Sequence, residues 1–471
     1  MLETEQILKI IDDYTVPSRV KTGIRYYEGK HDIKDYRIFF FDADGQLIED
    51  VNRTNVKISH PFFTELVDQQ VQYMLSNKDD YVQANDANLQ SKLLKVFDDE
   101  FISELSDLLQ GVIIKGSDYM YLYKNKNGNI CFKYAEQENV IELSAKESPD
   151  KEAHVIYFYS EQKGVTNIQV WSANCVEYFV RNGNKIEVDP EHPNPEHHIS
   201  KKEGKGENFS CIPFFRMDNN KKRLSNLEPI KDIIDDYDMM SCGFSNNLGD
   251  FDNPITLIKG FEGDDLSKLQ QNIKTKRIIG VGQGGDLDIK TVQVPYEARL
   301  AKMEQDEKNI YRFGMGFNSS QLGDGNITNI VIKSRYVLLD LKSNKLETRL
   351  RKFLKGILKI VLEDINSVDG KGYQLSDVWF DFTREVMTNA LDNAQIEQIE
   401  ANTKQTTINT LMTIAEKIDD KTLLKKLCDV LDIDINEVKP PEDEIKEAYE
   451  DIDKVDTNDE QGAENGSESK D

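Results

Sequence analysis

Three groups of residues have the chemistry to form a site. The first is Gly280-Val281-Gly282-Gln283-Gly284-Gly285-Asp286. A phosphate cradle needs a glycine loop opening onto a helix N-terminus, usually with a following Lys and Ser or Thr. Here a strand-like run follows and no such pair occurs, so the glycines read as a turn. The second group is His192, His197 and His198 in a polar loop. Imidazoles bind metals, but a fixed site needs a third ligand at a defined spacing, and neither a CxxC nor such a ligand is present. The third group holds the nucleophile types, Ser241-Cys242-Gly243 and Ser319-Ser320. Neither has a base nearby in sequence. Carboxylates are so abundant that pairs of them discriminate nothing. The expectation is a structural protein rather than an enzyme, with no cofactor and no metal.

Charge narrows the class. The 471 residues hold 85 acids and 59 bases, a formal net charge of -26. A protein that grips nucleic acid usually presents a basic face to the phosphates. This chain repels DNA at long range, so a DNA partner is expected to slide past rather than be held. The five cysteines are scattered, as in a reducing cytosol. The acidic start, Met1-Leu2-Glu3-Thr4-Glu5, is unlike a secretory leader. The most apolar run, 353–362, carries two lysines and is too short to span a bilayer. The expectation is a soluble cytoplasmic protein without membrane contact.

The elements follow from periodicity, which predicts an α+β chain. Helices are expected at Ile7–Tyr14, Pro61–Leu75 and, continuously, Leu89–Lys115. A polar, aromatic-rich turn is expected at Arg25–Ile33. A hairpin is expected around Lys126-Asn127-Gly128, with strands at 154–160, 167–172, 176–181 and 185–188. Then come a helix over 227–247, short strands and turns over 253–294 with one helix near 265–273, and a helix over 296–313. A four-glycine loop, 314–329, leads to a long helix over 330–365. A strand at 378–382 and helices at 391–418 and 421–431 complete the fold. Residues 442–471 hold thirteen acids and three bases, which predicts a disordered tail.

Several pieces then line up in order. Arg25-Tyr26-Tyr27-Glu28-Gly29-Lys30-His31-Asp32-Ile33 is followed by Val67-Asp68-Gln69-Gln70-Val71-Gln72-Tyr73, then by Gly116-Ser117-Asp118-Tyr119. Cys211-Ile212-Pro213 runs on to Asn219-Asn220. Ser225-Asn226-Leu227-Glu228 leads to Ile234-Asp235-Asp236-Tyr237-Asp238. The chain resembles, over about Ile7 to Ile435, the portal proteins of long-tailed phages of Gram-positive hosts.

That resemblance implies a portal fold with a wing, a helical stem, a small α/β clip and a helical crown. The wing would be 1–224 with a return strand near 373–387, the stem 225–252 and 296–313, and the clip 253–295. Residues 314–329 would be the tunnel loop, 330–367 a long wing helix, 388–438 the crown, and 439–471 the acidic tail. It implies a ring, expected to have twelve subunits, at the capsid vertex of the virion, assembled in the host cytoplasm. The ring would pass double-stranded DNA and dock the large terminase, a head–tail adaptor, and the major capsid and scaffolding proteins.

The implied channel residues are Phe317, Asn318, Gln321, Leu322, Asp324, Asn326, Lys333 and Arg335, with Asp235, Asp236 and Asp238 on a stem face. Lys274, Lys276 and Arg277 would meet the adaptor. The long helix holds nine bases from Lys333 to Lys359 against Asp340 and Glu347. They are expected to pair with acidic helices of neighbouring subunits, and Lys333 and Arg335 to touch DNA phosphates. The competing reading is another head–tail connector or baseplate protein.

Overall fold

The computed structural model describes residues 2–42, 44–51, 54–76, 81–144, 152–162, 164–199, 206–251, 255–259, 286–290, 296–318, 329–384, 390–431 and 433. They fall into two units, 1–324 with 333–386, and 325–332 with 387–471. The larger unit mixes helices and sheets, as expected.

Its chain opens with α1 (Thr4–Asp13) and α2 (Ser18–Tyr27). The second was not expected and takes the first three residues of the expected turn at Arg25–Ile33, the rest of which is turn and the start of a short 3-10 helix: Val20, Gly23 and Tyr26 recur on one buried face, a helical spacing that the polar residues between them disguise. A small hairpin follows, β1 (Phe39–Phe41) against β2 (Leu47–Glu49), in register Phe39↔Glu49. It leaves Phe39, Phe40, Phe41, Leu47 and Ile48 exposed, Phe41 at 72%.

Next come α3 (Phe62–Met74), β3 (Val82–Ala84), α4 (Ala87–Val96) and α5 (Asp99–Lys115). The expected continuous helix over 89–115 is thus two. The Asp98 carboxylate caps α5 by accepting from the Phe101 N–H at 3.0 Å, which stabilises a new helix start at the break.

Two antiparallel sheets carry the strands. One orders β11 (Phe214–Asp218), β4 (Ser117–Lys124) and β5 (Ile130–Ala135). The other is a five-stranded meander of β6 (Val140–Ser144), β7 (Glu152–Gln162), β8 (Val165–Trp171), β9 (Val176–Asn182) and β10 (Lys185–Val188). Tyr119, Val155, Trp171 and Val176 make an apolar layer between the sheets. α1 covers the meander through Ile7. β3, β6 and β11 were not expected: the first is three residues long, and the others carry too little alternation.

α6 (Lys231–Phe251) and α7 (Tyr296–Gly314) run antiparallel, since Asp236 meets Lys302 while Phe244 meets Tyr296. Between them in sequence, β12 (Ile255–Lys259) pairs with β13 (Asp286–Lys290). The expected helix near 265–273 lies outside the described residues. α8 (Asn329–Asp369) is a single 41-residue helix. Its Leu346, Leu350, Phe353, Leu354, Ile357 and Val361 form a buried stripe at helical spacing. Each such side chain contributes about 1.5–3 kcal/mol of burial. β14 (Val378–Phe380) returns to pair with β3, Val378 opposite Ala84. In the second unit, α9 (Ala390–Thr413) packs on α10 (Asp420–Leu431).

Candidate functional site

The two motifs farthest apart in the sequence meet in one place. Ser225 opens the turn that leads into α6, its Oγ accepting the Leu227 N–H at 3.0 Å, while Asn226 ties this lead-in to α3 through Gln70 Oε1 at 2.9 Å. One face of α6 then presents its carboxylates to the end of α2 and the turn after it. The Tyr26 phenol donates to Asp235 Oδ1. Lys231 Nζ lies 2.6 Å from Asp235 and 2.7 Å from Asp32, and 5.0 Å from the Tyr26 ring centre. Burial, then the bond to Asp235, raises the Tyr26 phenol. Asp32 is also raised by burial, but hydrogen bonds from Lys231 and Arg25 win and hold it at about 2.

Asp238 sits one turn further, at zero exposure. His31 Nδ1 lies 2.6 Å from Oδ2, and His60 Nδ1 lies 2.7 Å from Oδ1. The His60 backbone N–H donates to Oδ1 at 2.9 Å. Burial pushes the Asp238 carboxyl up, and the bonds from His31 and His60 outweigh it, so the net shift is downward. The His31 ring stacks on Tyr26 at 4.5 Å, and its Nε2 lies 3.2 Å from the Tyr26 carbonyl. Of the expected stem-face acids Asp235, Asp236 and Asp238, only Asp238 is withdrawn from solvent; Asp235 and Asp236 remain partly exposed. Asp238 is an interior group, because two histidines and an amide replace its water. Asp235 is spent on Tyr26 and Lys231, and Asp236 on Lys302 of α7.

A second cluster holds the root of the glycine-rich loop. Where α7 ends, Lys342 Nζ of α8 donates to the Gly314 carbonyl at 2.8 Å. Gly316 N–H bonds to the Tyr311 carbonyl at 3.0 Å. A Cβ at position 316 would lie 2.0 Å from Leu66 Cδ2, so a larger residue there requires the Leu66 side chain to move. Gln69 of α3 then grips Phe317 like a strand edge. Its Nε2 donates to the Phe317 carbonyl at 2.7 Å, and its Oε1 accepts the Phe317 N–H at 3.0 Å. The Phe317 ring stacks on Tyr336 of α8 at 5.1 Å. Asn318 Nδ2 donates to Glu307 Oε1 at 2.8 Å.

Gln69→Leu should free both backbone groups of Phe317. Losing one net hydrogen bond, about 0.5–1.5 kcal/mol, predicts roughly 2- to 10-fold faster amide exchange at Phe317. Exchange in the α8 core should stay unchanged. Equal acceleration in both places would deny Gln69 its local role.

Among the other expected site residues, Lys333 is exposed and Arg335 half-buried on α8. Gln321, Leu322, Asp324 and Asn326 lie outside the described residues, as do Lys274, Lys276 and Arg277. The sequence reading missed Gln69, His60 and Lys302 as anchors. Gln69 shares its face of α3 with Glu65 and Gln72, so nothing local marked it. His60 and Asp238 are 178 positions apart and gave no signal either. Among the described residues no group of histidines, cysteines or carboxylates is placed to hold a metal. No described helix is long and apolar enough to cross a membrane.

What this geometry defines is a class of chain in which two antiparallel helices, pinned to an α+β body, lead straight into a loop gripped at its root. The chain belongs to the phage portal proteins of the SPP1 Gp6-like family, whose model matches residues 8–456. The portal protein of Bacillus phage SPP1 is 25% identical over 378 residues, covering 79% of this chain and 74% of that one. The portal protein of Clostridium phage phiCD119 is 26% identical over 419 residues, covering 84% and 89%.

Proposed function

We propose that copies of this chain close into a ring at the capsid vertex of a phage virion, and that DNA passes through the ring during packaging and ejection. The observation that carries the reading is the order α6, β12–β13, α7, loop, α8, with the loop's root gripped by Gln69. In this assignment α6 and α7 are the stem and residues 253–295 the clip at its tip. Residues 314–329 project into the channel, 388–438 form the crown, and 439–471 extend as an acidic tail. The large terminase supplies the energy, and it and the head–tail adaptor dock on the ring, as do the capsid and scaffolding proteins. Assembly takes place in the host cytoplasm. A channel lined by so acidic a chain lets phosphates slide without sticking.

The hairpin supports a ring. Two strands alone are marginal in water, and an apolar patch this dense marks a contact surface. In a closed ring each copy presents two different patches to its neighbours.

Electron microscopy of the full chain in negative stain tests the reading. Closed rings of about twelve copies around a hole are expected, and Phe40→Ser with Phe41→Ser should reduce their number while leaving the far-ultraviolet circular dichroism intact. Rings of six that hydrolyse ATP would overturn it.

A further inference from the structure

A cavity of about 730 Å³ opens between α8, the end of α7 and the turn at 219–226. Four cations line it: Lys342, Lys345, Arg349 and Lys352. Their spacing of three, four and three places them on one face of α8. No carboxylate is among the described lining residues. The acids of this stretch of α8 lie on its other side, engaged by other cations: Asp340 is 2.7 Å from Arg384, and Glu347 is bound by Arg351 and Arg384. Lys345, Arg349 and Lys352 have no ion-pair partner among the described residues. Lys342 reaches only the Gly314 carbonyl, and burial holds its ammonium down to about 8, as for a cation lacking a counter-ion.

From this geometry we propose that the groove seats carboxylates of a second copy of this chain, forming one half of the contact between ring neighbours. The inference rests on the ring reading above. Two features select this occupant. The groove opens into a cavity of about 730 Å³, room for a few side chains and too small to admit a DNA duplex. The chain, at -26, is itself a rich source of the complementary charge. Glu297 and Glu304, seven residues apart on α7, are exposed and without a partner among the described residues.

The test uses rings assembled from an equal mixture of natural-abundance and ¹⁵N-labelled full chains. A carbodiimide joins amines to carboxylates in contact, and mass spectrometry reads whether each link lies within one copy or between two. Links from Lys345 or Lys352 to a carboxylate of the other isotope are expected. Lys345→Glu with Arg349→Glu should lower the ring fraction about tenfold or more at fixed concentration, an effect that salt reproduces on the parent chain. Rings whose lysines at 345 and 352 link only within one copy, or not at all, overturn the inference and leave the ring reading standing. So does a charge-reversed chain that assembles normally but no longer retains double-stranded DNA, which would assign the groove to phosphates. A parent chain that never forms rings removes the ring reading, and this inference with it.

Discussion

Asp238→Ala is expected to destabilise the larger unit by about 3–5 kcal/mol, the range for removing one partner of a buried charged cluster. The variant leaves His31 and the His60 backbone N–H facing a void at a position with zero exposure. Asp238→Asn keeps the volume and one acceptor oxygen, so it should lose less. The thermal midpoint of the full chain separates the two. An Ala variant as stable as the parent would mean that the cluster contributes nothing net.

The same group sets an acid limit. Its folded pKa lies below the ordinary 3.8, so the folded state holds the ionised form more firmly than the unfolded chain does. The stabilisation is fully present above 3.8 and is lost as pH falls through the lower folded value. Asp238→Asn should therefore flatten the stability curve in that acidic window and lower it by a constant amount at higher pH.

Gly116→Ala is the second large effect. Gly116 caps α5 at φ +95°, and its carbonyl accepts the Asn219 N–H at 2.9 Å. An added Cβ would sit 2.2 Å from the Arg223 carbonyl oxygen. The left-handed backbone costs a side chain about 1–2 kcal/mol, and overpacking adds roughly 1–3. A total loss of about 2–5 kcal/mol is expected, since the neighbouring atom is backbone and has little freedom to retreat. The 219–226 turn also leads into α6, so exchange there should rise together with exchange at the end of α5. A thermal midpoint equal to the parent's would show that the turn yields easily.

Much of the fold was legible in the sequence because the long elements obey simple periods. α8 repeats its apolar stripe over many turns, and the Lys126-Asn127-Gly128 turn marks its own hairpin. Short or polar elements were not legible. α2 hides its buried face among charges, and β3 has only three residues to alternate. The site was half legible. The Tyr26, His31 and Asp238 motifs could be read as markers of a family, but their meeting could not, because nothing local encodes a contact across some two hundred positions. Asp238 looked like one more acid in an acidic chain, and its burial is decided by two histidines on other elements.

In the free chain the hairpin of β1 and β2 is an aggregation hazard. Three successive phenylalanines on an uncovered two-stranded ribbon are the sequence type that stacks into fibrils. If the chain closes into the proposed ring, the free subunit faces two concentration-dependent fates: ordered closure, or precipitation by the same side chains. The charges around the ribbon slow the second. Arg37 meets Glu49 across the strands at 3.2 Å, and the Asp42 carboxylate accepts the Asp44 and Gln46 N–H groups, tying the turn into one shape. They act as gatekeepers that oppose stacking of this exposed apolar ribbon.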